Sequence, residues 1–107
     1  MKKTDGSASF KNHEIDIFGK KVKVEFVPVA TYEGVSSRGL YHYSSPLIQV
    51  STLNQSVSDI HHTLLHEIGH AIFHRLGLHN CQLSSDLEEI IVDGYATALN
   101  ELYDFKC

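Results

Sequence analysis

His66-Glu67-Ile68-Gly69-His70 constrains this chain more than any other stretch. It reads H-E-x-x-H and sits inside the longer run HTLLHEIGHAIFH, from His62 to His74. On an α-helix, residues four apart are separated by about 40° around the axis and one turn along it. His66 and His70 therefore present two imidazoles to one point, as two positions of a tetrahedral zinc site require. Glu67 falls about 100° from His66, where it flanks such a site without ligating it. Two ligands fixed by a helix, with a carboxylate placed to take a proton from water, are the parts of a zinc hydrolase. The flanks predict the helix itself. Leu64, Leu65, Ile68, Ile72 and Leu76 recur at helical spacing, and no proline interrupts residues 57–83. Ser56 or Ser58 can cap its start, and Gly77 offers a stop.

With 107 residues the chain is long enough for one domain with a modest core. Its apolar share of 42% and charged share of 21% are those of a soluble globular protein. The outlier is histidine: eight in all, five of them between His61 and His74. A net charge of −4 without a Lys/Arg cluster argues against direct nucleic-acid binding. The opening MKKTDGSASF has no apolar segment after its lysines, and no later run approaches a membrane span. The expected setting is therefore the cytoplasm. Cys81 and Cys107 form no C-x-x-C and read as two unpaired thiols.

Residues 1–11 read as a flexible tail and residues 12–107 as a single domain. From His13 the pattern has period two: Ile15 and Ile17 alternate with acids, and Val22, Val24 and Phe26 alternate with Lys21, Lys23 and Glu25. Phe18-Gly19-Lys20 can turn the chain between them, which predicts a hairpin ended by Pro28. Thr31 to Ser37, with Gly34 and two serines, reads as a loop. Leu40 to Tyr43 and Leu47 to Val50 are short β-prone runs divided by Ser44-Ser45-Pro46. After the histidine-rich helix, Ser85-Asp86-Leu87-Glu88 fits a capping box and predicts a second helix to about Phe105. Its apolar arc is expected around Ile91, Tyr95, Ala98, Leu99 and Leu102. Strands followed by two helices predict an α+β domain, a short N-terminal mixed sheet on which both helices pack.

Two histidines do not hold a catalytic zinc; a third protein ligand is needed. The downstream candidates are Asp86, Glu88, Glu89 and Asp93, besides the remaining histidines. On the expected second helix Glu88 falls inside the apolar arc and Glu89 at its edge. A ligand at that edge can reach a site above the seam between the helices. Asp93, one turn beyond Glu89, can accept a hydrogen bond from a ligand histidine's free N–H. His74 could ligate with His70 in an alternative register, but no acid is placed to act as base beside that pair.

H-E-x-x-H followed by Glu-x-x-x-Asp on the next helix resembles the gluzincin zinc metallopeptidases. Glu89-Ile90-Ile91-Val92-Asp93-Gly94-Tyr95-Ala96 carries the acid, aliphatic, acid, aromatic and small residues at that family's spacings. The shortness of the chain looks more like the small ImmA/IrrE-type metallopeptidases of phages and mobile elements, with Asp93 where Asn is common there. The resemblance spans about residues 47–103. It implies a zincin-like domain with zinc on His66, His70 and Glu89, Glu67 as general base, and Asp93 orienting His66. It also implies a hydrogen-bond donor for the transition state, for which His79 and the strand residues Tyr41, His42 and Tyr43 are the candidates. In zincins an unpaired strand edge holds the peptide; here that strand is Gly39 to Ser44. The implied substrate is a protein or peptide, in the phage group a repressor or other regulator. The competing expectation is a zinc-containing interaction module that does not cut, such as an anti-repressor. Neither the oligomeric state nor the bond cut is legible.

Overall fold

A computed structural model describes residues 10–76 and 85–102. They form a small α+β domain with a mixed sheet and two helices. Gly77, His79, Cys81, Phe105 and Cys107 lie outside the described residues, as do residues 1–9 of the expected tail. Phe10 lies against Phe26, with ring centroids 5.1 Å apart.

Strands β1 (His13–Ile17) and β2 (Lys20–Val27) form the expected antiparallel hairpin, with Ile17 opposite Lys20. Phe18 and Gly19 both take positive φ, the two-residue turn whose twist suits a hairpin. Thr31 to Ser37 is not the loop its composition suggested. It folds as a second hairpin, β3 (Ala30–Tyr32) and β4 (Val35–Ser37), through a Glu33-Gly34 turn with both residues at positive φ. Three-residue strands are too short to show a period, so only the turn pair signals them. Ser51 ties this hairpin to the sheet: its hydroxyl accepts from the Ala30 amide and donates to the Ser37 carbonyl.

Strand β5 (Gly39–His42) pairs antiparallel with β6 (Leu47–Ser51), and β6 pairs parallel with β2. The main sheet therefore runs β1-β2-β6-β5, which leaves β5 at its edge. One face carries the core, built from Ile17, Val22, Val24, Ile48 and Val50. Across the other face His42, Gln49 and Glu25 form a hydrogen-bonded polar row.

Helix α1 (Val57–Arg75) starts at Ser56, whose hydroxyl accepts from the Asp59 amide at 3.0 Å. Of the two candidate caps the structure uses Ser56, because only its oxygen lies outside the first turn. Ile60, Leu64, Ile68 and Ala71 face the sheet and complete the core. Helix α2 (Ser85–Leu102) packs on α1. The expectation that both helices lie directly on the sheet is corrected: the layers run sheet, α1, α2. The apolar arc of α2 is corrected too. Val92 and Ala96 are its buried residues, whereas Ile91 is 43% and Leu102 73% exposed. That is a turn of about 60° around the helix from the Tyr95–Leu99 centre. It swings Glu89 and Asp93 toward α1. No helix among the described residues is long and apolar enough to cross a membrane.

Gly69 sets the contact between the helices. A Cβ at this position would lie 2.8 Å from Val92 Cγ1, so any larger residue holds the helices apart. Gly69→Val is expected to destabilise the fold by roughly 1–3 kcal/mol through overpacking, measured by urea denaturation. Val92→Ala in the same chain should recover part of that loss. Additive effects of the two substitutions would show that this contact does not set the spacing.

Candidate metal centre

Helix α1 offers three stripes. Its sheet face is apolar, and Gly69 faces α2. Between them, His66, His70 and Glu67 open onto a cleft roofed by the start of β5. His66 Nε2 and His70 Nε2 lie 3.2 Å apart. The carboxylate of Glu89 meets both, Oε1 at 3.2 Å from His66 Nε2 and Oε2 at 3.0 Å from His70 Nε2. His66, His70 and Glu89 are the group among the described residues whose ligand atoms converge closely enough for one metal ion.

The outer nitrogens are held as well. His70 Nδ1 lies 2.6 Å from Glu88 Oε2, and His66 Nδ1 lies 3.4 Å from Asp93 Oδ1. An ionised carboxylate only accepts, so each neutral imidazole places its proton on Nδ1 and turns its Nε2 lone pair inward. Two lone pairs and a carboxylate then face one point. Three acceptors at about 3 Å repel one another unless a cation or shared protons lie among them. A tetrahedral site with bonds near 2.0–2.1 Å has ligand–ligand edges of about 3.3 Å. The 3.2 Å between the two Nε2 atoms is close to such an edge, and with one carboxylate oxygen from Glu89 the three ligand atoms lie within 4.8 Å of one another. The donor set, two imidazoles and one carboxylate, is one that zinc accepts.

Glu88 is the residue whose part the sequence reading missed. Placed as a capping-box partner and a rival ligand, it instead buries its carboxylate against His70, 14% exposed beside Glu89 at 57%. Its position one residue before Glu89 and inside the packing face was the available signal: a buried carboxylate needs a partner, and His70 was the nearest cation or donor.

Glu67 is buried at the base of the cleft and has no hydrogen-bond or ion-pair partner among the described residues. Burial pushes its carboxyl up to about 7, against the pull of His70 and with a further push from Glu89. Gly39 covers it. A Cβ there would lie 2.6 Å from Thr63 Cγ2 and 3.0 Å from Glu67 Cγ. The absence of a side chain lets the edge strand close on α1 directly above the motif.

The other expected residues divide. Tyr41 and Tyr43 line the cleft with His66, His70 and Glu89. The Tyr41 hydroxyl shares a 3.0 Å hydrogen bond with His74 Nδ1, and burial pushes its phenol up, so it stays protonated. His42 turns to Gln49 on the opposite face of the sheet and is not brought to the site. His79 lies outside the described residues. His74 is half-buried against Tyr41 and Tyr43. His61 bonds Asn100 and His62 bonds Thr97, so both tie α1 to α2.

Metal titration checks the assignment of roles. Glu89→Ala should lose zinc outright. Glu88→Gln and Asp93→Asn should each weaken binding by about 10- to 100-fold, as expected for groups that orient a ligand imidazole. Tighter binding by Glu89→Ala than by Glu88→Gln would exchange the two roles. A second test uses the protein held metal-free by chelator. A carboxyl raised in the folded state from its ordinary 4.5 to about 7 is favourable only while protonated. Its contribution is complete below pH ~4.5 and is lost as pH rises through about 7. Glu67→Gln should therefore stabilise the metal-free fold increasingly from pH 5 to pH 8, by roughly 3 kcal/mol at most, in denaturation curves. A pH-independent difference would place Glu67 in contact with water.

The chain matches no protein-family model, no curated protein and no solved structure.

Proposed function

We propose that this protein is a zinc-dependent metallopeptidase that hydrolyses peptide bonds in a protein or peptide substrate. The observation that carries the proposal is the inward convergence of His66 Nε2, His70 Nε2 and Glu89, with the carboxyl of Glu67, unpaired among the described residues, beside them. The arrangement supports a zincin-like domain of the gluzincin kind, similar to the small ImmA/IrrE-type enzymes. A sheet with a free edge precedes the H-E-x-x-H helix, and a second helix supplies the carboxylates.

His66, His70 and Glu89 would hold the ion. Zinc bound there supplies Lewis acidity, polarising a carbonyl and making water acidic near pH 7. The chain's own groups do the rest. Glu67, buried beside the ligands and open to the cleft, would take a proton from the attacking water and return it to the leaving amine. Glu88 and Asp93 keep both imidazoles in the tautomer that presents Nε2. Tyr41 offers a protonated hydroxyl on the cleft wall, where an oxyanion donor would act. The outer edge of β5 is free of ladder partners among the described residues and gives an extended peptide somewhere to pair.

Glu67 also separates cutting from binding. A zinc module that only holds a partner, such as an anti-repressor, has no use for a buried carboxyl next to its ligands. Glu67→Gln keeps size and hydrogen bonding but removes the base. It should bind one zinc per chain as the wild type does and lose peptide hydrolysis by two orders of magnitude or more, an effect on the order of ~10²–10⁴ for a general base. Hydrolysis at the wild-type rate by the zinc-loaded variant would refute the mechanism.

A further inference from the structure

The cleft has two unlike ends. Ser37, Gly39, His66 and Glu67 line its middle. At one end stand Tyr41 and Tyr43, their rings edge to face at 5.3 Å. At the other stand Arg38, His62 and Asp93, the carboxylate of Asp93 being held by His66. The acids of the site are nearly all matched: Glu88 and Glu89 meet His70 and Asp93 meets His66. The side chain of Arg38 is exposed and makes no hydrogen bond or ion pair among the described residues. Its backbone is nevertheless fixed, because its carbonyl accepts from the Ser51 amide at 2.8 Å. The arginine is therefore rooted at a set place immediately before the edge strand, its guanidinium free to swing toward a ligand in the cleft.

We propose that Arg38 selects substrates with an acidic side chain beside the scissile bond, while the Tyr41–Tyr43 end takes an apolar or aromatic side chain on the other side. This rests on the metallopeptidase reading and names its substrate class. A guanidinium pairs a carboxylate through two parallel N–H donors, and among the described residues no carboxylate is paired with Arg38 although Glu67 and Asp93 line the same end of the cleft. Direction follows from the strand. β5 runs from Gly39 to His42, so Arg38 stands at its N-terminal end. Antiparallel pairing is the more stable ladder. A peptide laid antiparallel on the free edge points its C-terminal part at Arg38 and its N-terminal part at the tyrosines. The acid then falls C-terminal to the bond that is cut, and the apolar residue N-terminal to it.

The test uses the zinc-loaded full chain with a degenerate peptide library, the cut sites being read by mass spectrometry. Peptide pairs follow that differ only in Glu against Gln at the selected position. Wild type should cleave the Glu member about tenfold faster in kcat/KM, the scale of one charge-assisted pair at a partly exposed site. The ratio should fall to about one in Arg38→Ala, and Arg38→Glu should prefer a Lys peptide. Binding of the same pairs to zinc-loaded Glu67→Gln, followed by fluorescence anisotropy, reads the selectivity without turnover. A Glu:Gln ratio near one in the wild type, or an undiminished ratio in Arg38→Ala, overturns the role of Arg38. An acid preference on the N-terminal side of the cut overturns the antiparallel direction. Arg38-dependent binding of acidic peptides without any hydrolysis by the wild type sustains the selectivity and removes the peptidase reading instead.

Discussion

Everything at the centre depends on how closely α2 approaches α1. Gly69, one of the two unspecified positions of H-E-x-x-H, is where that approach is set, because Val92 occupies the space a Cβ would need. The contact brings Glu88, Glu89 and Asp93 within reach of two imidazoles on the neighbouring helix. Three carboxylates on one side and two histidines on the other divide the work. One carboxylate shares the inner point with both Nε2 atoms, and the other two hold the outer nitrogens. The result is a cluster whose acceptors all face inward, an arrangement that is stable with a cation and strained without one. For an ion bound among them, binding and the packing of α2 on α1 would be one equilibrium: whatever loosens the helix contact also disperses His66, His70 and Glu89.

A second close approach sets the surroundings of Glu67. Gly39 at the start of β5 lets the edge strand lie directly on Thr63 and Glu67. This removes Glu67 from water on one side while leaving its carboxyl open to the cleft, and its protonation is poised near neutrality for that reason. The same strand then continues into Tyr41, which is anchored to α1 through His74. Glu67, the two imidazoles and the cleft wall are thus referred to one helix. Ser51 extends this order outward by fixing the β3–β4 hairpin and the backbone of Arg38.

Much of the fold was legible where the signal is local. The His13–Ile17 and Lys20–Val27 strands alternate over enough residues to show their period, and a long periodic run marks α1, with the structure choosing Ser56 over Ser58 as its cap. The β3–β4 hairpin was not legible, because three residues per strand cannot establish alternation. The face of α2 was misjudged for a different reason. Ile91 and Leu102 are more hydrophobic than Ala96 and drew the expected arc toward themselves. The close approach at Gly69 favours small or branched partners, and Val92 with Ala96 provides them. Of the candidate donors, Tyr41 and His42 are adjacent in sequence, so strand alternation sends them to opposite faces of the sheet. Which face meets α1 could not be read from the strand alone.

The sequence by itself determined the pairing of His66 with His70 and the place of Glu67 beside them. A helix fixes those directions through its own hydrogen bonds, whatever it packs against. It also limited the third ligand to a few acids on the next helix. Only the tertiary structure decided that Glu89 meets both Nε2 atoms while Glu88 and Asp93 hold the Nδ1 atoms. That choice depends on the rotation and spacing of one helix against another. Both are set by a contact between Gly69 and Val92, which lie 23 residues apart in the chain, and no local pattern encodes such a contact.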